Sequence, residues 1–197
     1  VIRKYGLPSE VHRRKKYRVM DQQLHRYANL LNRDFTAQRP NQKWVTDISY
    51  IHTAQGVVYL SIIRDLFDNN IVSYTTGTDQ SVNLVLDTIR DARQKEKVAG
   101  ELHLHGDQGI PYTSHAYFSL AKEYGIIPSL SRRANPYDNA MAENFFSILK
   151  SECINRQKLS SFAIARSLID NFIWFYNHKC FQLKTKLTPL QKRRQLA

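Results

Sequence analysis

Three acidic residues, Asp47, Asp107 and Glu143, stand in three different local settings, with 35 residues between the last two. Asp47 lies in the extended run Lys43-Trp-Val-Thr-Asp-Ile-Ser-Tyr-Ile51, and Asp107 closes the apolar stretch Leu102-His-Leu-His-Gly-Asp107. Glu143 falls in a helical stretch. Carboxylates brought together from two strand ends and one helix form an all-oxygen site for hard divalent cations, since Mg2+ prefers carboxylate and water oxygens in octahedral array. Such a site suits phosphodiester chemistry. The attacked phosphorus is screened by negative oxygens, and two ions about 3.5 to 4 Å apart activate the nucleophile and stabilise the leaving oxygen.

Spacing alone decides little, because 17 acids in 197 residues fall at almost any separation. Each acid also has a bland reading. Asp107 beside Gly106 and Gly109 reads as a turn residue, and Glu143 as an exposed helix acid. Asp47 is different, because a carboxylate in an apolar strand is costly unless paired or metal-bound.

Their surroundings are more specific. The strings Trp44-Val-Thr-Asp-Ile-Ser-Tyr50, His105-Gly-Asp-Gln-Gly-Ile-Pro-Tyr-Thr-Ser114 and Ser131-Arg-Arg-Ala-Asn-Pro-Tyr-Asp-Asn-Ala-Met-Ala-Glu-Asn-Phe-Phe-Ser-Ile-Leu-Lys-Ser-Glu152 together resemble the catalytic core of the retroviral-integrase-like DDE transposases. The resemblance is to the bacterial insertion-sequence group whose transposase is assembled from two overlapping reading frames, and it covers about residues 12–195. It implies that Asp47 bridges two divalent cations, Mg2+ or Mn2+, while Asp107 and Glu143 each complete one coordination shell. It also places Lys150 against the DNA end. The implied activity is metal-dependent cleavage at element ends followed by 3′-OH strand transfer. The implied partners are element-end and target DNA, further copies of the chain, and an upstream-frame helix-turn-helix segment. Three positions depart from the family pattern: Cys180 where arginine is usual, Ala134 for a common glycine, and Gly106 where serine is frequent.

The elements that must position these acids follow from periodicity. Runs at 43–51, 57–63 and 71–76, punctuated by Gln55-Gly56 and Asp68-Asn-Asn70, predict an antiparallel three-strand meander. Ser81 caps a helix with apolar positions Val82, Val85, Leu86 and Ile89. A fourth strand at 102–105, a helix over 114–124 ended by Gly125, and a fifth strand at 126–130 complete an α/β pattern with helices on both faces of a mixed sheet. This order matches the ribonuclease H-like fold, in which the first and fourth strands are neighbours, so Asp47 and Asp107 should meet. Asp138 is expected to cap the helix running to about residue 153. On it Asn139, Glu143, Ser147 and Lys150 share a polar face, while Phe145, Ile148 and Leu149 point to the sheet. A long helix over 160–178 should pack its aromatic run, 172–176, into the core. Thr188-Pro189 should open a short basic helix.

Charge divides along the chain. Residues 1–40 hold ten Lys/Arg against three Asp/Glu, a balance of +7, and residues 151–197 hold nine against two, again +7. Residues 41–150 hold ten against twelve, or −2. The division predicts a basic N-terminal arm with one or two short helices (1–40), a catalytic core (41–155) and a helical C-terminal extension (156–197), the two ends holding a polyanion. Arg132, Arg133, Asn139 and Lys150 are the candidate DNA contacts, with solvated loop charge the alternative for the two arginines. His103 and His105, alternating with leucines, read as hydrogen-bonded strand histidines.

Cys153 and Cys180 form no Cys-x-x-Cys pair, so neither a disulfide framework nor a zinc knuckle is indicated. No run reaches the roughly eighteen apolar residues of a membrane span, so a cytoplasmic, nucleoid-associated protein is expected. Two rival functions share these features: a structure-selective nuclease on the same fold, and a non-catalytic DNA-binding regulator.

Overall fold

A computed structural model describes residues 25–133 and 135–195. The basic cluster Arg13-Arg-Lys-Lys16 and Ala134 lie outside the described residues. Five strands, β1 (Lys43–Thr53), β2 (Gly56–Asp65), β3 (Ile71–Gly77), β4 (Leu102–Gly106) and β5 (Ile126–Leu130), form one sheet in the order β3-β2-β1-β4-β5. The first three are antiparallel, with Asp47 opposite Ile62 and Tyr50 opposite Tyr59. β4 runs parallel to β1 and β5 parallel to β4. The parallel half needs crossovers, and helices supply them.

Those helices begin where the sequence offers side-chain caps. Ser81 accepts from Leu84 N–H at the start of α1 (Val82–Lys95). The short α2 (Ile110–Thr113) leads into α3 (His115–Glu123), capped by Ser114 and followed by Gly125 at φ +63°, the left-handed stop that glycine adopts without strain. Ser161 caps α5 (Phe162–His178), and Thr188 with Gln191 forms a full capping box on α6 (Pro189–Arg194).

α4 (Ala140–Glu152) starts differently from expectation. Asp138 is not its cap: it lies inside a 3-10 turn (Pro136–Asn139), and Asn139, with no side-chain cap bond, precedes the helix. The Asp138 carboxylate is taken instead by Arg132, Arg33 and Asn29. Charged donors at that distance outbid the neutral N–H groups of a cap.

Two cores cover the two faces. One joins Trp44, Leu102 and Leu104 to Val85, Ile89, Tyr117 and Leu120 of α1 and α3. The other joins Ile51, Leu60 and Ile62 to Phe145 and Leu149 of α4 and to Ile169, Ile173 and Tyr176 of α5. Fully buried side chains such as Trp44 and Phe145 each contribute about 1.5–3 kcal/mol. On α4 it is Phe146 that is buried with Phe145 and Leu149, and Ile148 is only partly covered. In the aromatic run of α5, Ile173 and Tyr176 are core, whereas Trp174 and Phe175 are exposed.

Residues 25–40 form no helix, contrary to the expectation for the described part of the arm. Their backbone bonds go elsewhere: His25 N–H donates to Thr113 C=O, Leu30 N–H to Ser129 Oγ, and Ala28 C=O accepts from Leu130 N–H of β5. Leu31 is buried against Val45, Leu66 and Ala142. This segment is laid against the body.

At the other end of the chain, Arg193 of α6 reaches into the body. Its guanidinium contacts Asp65 (3.1 Å), Asp68 (2.7 Å) and Glu96 (2.7 Å), and donates to Asn41 Oδ1 (2.6 Å). Asp65 also accepts from the Trp44 indole and Asn41 N–H. Burial raises the pKa of both aspartates, and Arg193 opposes it. The basic tail is thereby tied to the β2–β3 turn, the end of α1 and the start of β1.

Candidate active site

The last paired rung between the parallel strands β1 and β4 is Val45 with His105. Asp47 and Asp107 each lie two residues beyond it, so neighbouring strands deliver both carboxylates at one level. α4 brings the third acid in its first turn, where Glu143 is exposed. What holds that turn on the sheet is Asn139, whose amide donates to Thr46 C=O at 3.3 Å. Asp47, Asp107 and Glu143 line one cavity of about 520 Å3, together with Gly109, Ser131, Arg132, Arg133 and Asn139.

Local backbone bonds aim the two aspartates. Ile48 N–H donates to Asp47 Oδ1 at 2.8 Å, and Gly109 N–H donates to Asp107 Oδ1 at 2.8 Å. A Cβ at position 109 would stand 2.8 Å from that oxygen, so a side chain there would turn the Asp107 carboxylate aside. Thr46, beside Asp47, packs with Tyr112, its hydroxyl 3.3 Å from the phenol.

The electrostatics are those of acids gathered around one cavity. Burial, the charge of Asp107 and that of Glu143 push the Asp47 carboxyl up to about 7, while Ile48 N–H and the Lys150 ammonium pull it down. Burial raises Asp107, offset in part by Gly109 N–H. Among the described residues, no three Asp, Glu, His or Cys groups close into a ready-made ion cage. The acids share a cavity and press on one another, which is what carboxylates do until a cation offsets their charge. The donor set suits a hard divalent ion: three carboxylates, with the buried Asn139 Oδ1, which has no hydrogen-bond partner among the described residues, on the same cavity wall.

The candidate DNA contacts divide. Arg133 is exposed on the rim of the cavity. Arg132 is exposed too, but its guanidinium chelates Asp138 at 2.8 and 2.9 Å, and that pair holds the Asp138 pKa below the usual carboxylate range. Asn139 is buried, lines the cavity and fastens α4 to β1 through Thr46 C=O. Lys150 does not pair with Glu143; its ammonium lies 4.8 Å from the centre of the Tyr50 ring, in a neighbouring cavity. His105 is buried and bonds Ser129, and His103 bonds Glu101; neither lines the acid cavity.

Sequence reasoning missed three features. Arg33 and Asn29 grip Asp138, tying the N-terminal segment to the loop that walls the cavity. Arg64, buried under α4, donates to Met141 C=O and to the Tyr176 hydroxyl. Its signal was legible, as an arginine inside the apolar run Leu60-Ser-Ile-Ile-Arg64. Tyr50, 56% exposed on β1, the strand that carries Asp47, is the third.

Comparison with known proteins gives a consistent result. Two family models, each described as integrase core domain, match residues 37–136 and 143–196. InsK of insertion sequence element IS150 from Escherichia coli K12 is 39% identical over 168 residues, covering 85% of this chain and 59% of its own length. A transposase-like protein of Haemophilus influenzae is 37% identical over 182 residues, covering 91% of this chain and 84% of its own length. The chain thus spans about three fifths of InsK. In fold it matches the HTLV-2 integrase catalytic core domain in complex with magnesium, with TM-score 0.64, 16% identity, and coverage of 80% of this chain and 99% of that one. That likeness shows the ribonuclease H-like architecture. No described helix is long and apolar enough to cross a membrane.

Proposed function

The chain belongs to the integrase core family, among the transposases of bacterial insertion sequences, and from that premise we propose that it is the catalytic part of a DDE transposase, cutting DNA at element ends and joining the freed 3′-hydroxyls to target DNA. The observation that carries this reading is the meeting of Asp47, Asp107 and Glu143, from β1, the end of β4 and α4, in one cavity. In each step a hydroxyl oxygen, of water and then of the element's 3′ end, bonds to phosphorus as the opposite P–O bond breaks. The proton lost by the nucleophile balances the one taken up by the leaving alkoxide.

Asp47, Asp107 and Glu143 would hold two divalent cations, Mg2+ or Mn2+, which when bound supply charge stabilisation to the attacking and leaving oxygens. Asp47, whose carboxyl feels the charge of both Asp107 and Glu143, would share in holding the cations with each of them. Gly109 fixes Asp107, Asn139 fixes the helix that carries Glu143, and the Arg132–Asp138 pair fixes the loop between them. Arg133 and Lys150, on either side of the acids, would take DNA phosphates. The basic segments 1–40 and 156–197 would flank the core 41–155 as DNA-holding extensions, with an upstream-frame segment and further copies of the chain completing the complex on DNA in the bacterial cytoplasm.

The test is strand transfer with labelled duplexes carrying the element's terminal repeats. Wild type with Mg2+ should join precleaved ends to a target duplex, and Asp107→Asn should not. Cleavage without joining would make the chain a nuclease, and binding without either reaction would make it a regulator.

A further inference from the structure

Beside the acid cavity lies a second one of about 290 Å3 that shares none of its lining residues. Its lining is unlike that of the first. It carries an aromatic ring, Tyr50, two more polar rings and chains, His52 and Lys150, and two exposed amides, Asn155 and Gln157, above the apolar Ile154. Tyr50 stands three residues along β1 from Asp47, roughly 10 Å at strand rise. Lys150 joins the two cavities, since its charge is felt at Asp47 while its ammonium lies over Tyr50.

Tyr50 is an exposed tyrosine between two buried neighbours on its strand, Ser49 and Ile51. Tyr50 is 56% exposed, His52 meets it edge-on at 5.5 Å between ring centres, and Lys150 rests against it. Stacking platform, cation and amide edges are what a nucleobase with its phosphate requires: the ring takes the flat π face, the amides take the polar rim, and the cation takes the phosphate. An apolar ligand would find too many polar groups here, and a free anion would have no use for the ring.

We propose that the Tyr50–Lys150 cavity is a nucleotide subsite, which receives the base next to the reacting phosphate after it has left its own stack. The proposal rests on the transposase reading above and adds how the DNA end is held: the strand is opened at the scissile position, and the displaced base stacks on Tyr50. Because stacking is tolerant of base identity, the subsite selects an unpaired nucleotide more than a sequence. Enzymes that act inside a duplex extrude bases into pockets for the same reason of access.

The test uses an oligothymidylate of about 12 nucleotides, a length matched to single-strand sites, with one 2-aminopurine at each of the last three 3′ positions in turn and a distal dye. Anisotropy of the dye reports binding, and 2-aminopurine emission reports stacking; neither needs turnover. Wild type should change the emission at one position, Tyr50→Phe should keep that change, and Tyr50→Ala should lose it and bind about 5- to 100-fold more weakly. Replacing that nucleotide by an abasic residue should erase the difference between wild type and Tyr50→Ala. Binding with the same emission at every position in wild type and Tyr50→Ala overturns the subsite and leaves the transposase reading standing. Absence of any anisotropy change in wild type also overturns the subsite, while the transposase reading stands or falls on strand transfer with the duplex.

Discussion

Asp47 and Asp107 sit level with each other, each two residues past the Val45–His105 rung on adjacent parallel strands. Their mutual repulsion, added to burial, is built into the fold before any cation arrives. The folded protein therefore holds a proton on Asp47 that the unfolded chain releases near pH 4. A carboxyl raised in this way loses stability as pH rises from about 4 towards 7, where the native state still binds the proton and the unfolded state does not.

Asp47→Asn removes that penalty. In chelator, its stability should exceed that of wild type by a margin that grows between pH 4 and 7 and levels off above. The plateau should be about 1–3 kcal/mol, below the full value of a shift of about three units because the group is partly solvated. Urea denaturation across pH 4–8 measures it, and a margin independent of pH would refute the electrostatic account.

Divalent cations should reverse the same strain. Mg2+ or Mn2+ at about 100 times its dissociation constant should stabilise wild type by roughly 2.7 kcal/mol. Asp107→Asn should show little of this shift. Thermal melts with and without metal compare the two, and equal shifts would place the ion elsewhere.

Gly109→Ala puts a methyl group against Asp107 Oδ1. The expected result is a drop in strand transfer of about 100-fold, the cost of a displacement near 1 Å in a catalytic group. Melting temperature should change little, since the turn is at the surface. Unchanged turnover would show that Asp107 tolerates a different orientation.

Arg193→Leu leaves Asp65 and Asp68 buried without their cation. The loss should be about 3–5 kcal/mol, read by urea denaturation, with Arg193→Lys intermediate because a lysine cannot reach Asp65, Asp68, Asn41 and Glu96 together. A loss below 1 kcal/mol would mean that α6 is dispensable to the core.

The meander, the capped helices and the triad were legible because their signals are local. Alternating β-branched runs set β1 to β3, Ser81, Ser114 and Thr188 announce helices, and Asp47 stands out as a charge in an apolar strand. What was not legible joins distant parts of the chain. Arg193 meets Asp65 across 128 positions, and no pattern within the tail Lys192-Arg-Arg194 says which of its cations turns inward. Asp138 was misread for the same reason: its position suits a helix cap, but Arg33, 105 residues away, and Arg132 claim its oxygens. Residues 25–40 carry no period because their backbone bonds go partly to β5 and α2 and partly to a tight turn at residues 31–35.

That last segment has a bearing on how copies could meet. Ala28 and Leu30 bond along the outer side of β5, and the Asn177 side chain both accepts from Ile71 N–H and donates to Ile71 C=O at the start of β3. The rim at β5 and the first residue of β3 are thus engaged by the molecule's own chain, and strand-to-strand recruitment of a neighbour is obstructed at those positions. The large apolar side chains that do face outward, Trp174 and Phe175, lie instead on the helical flank of α5.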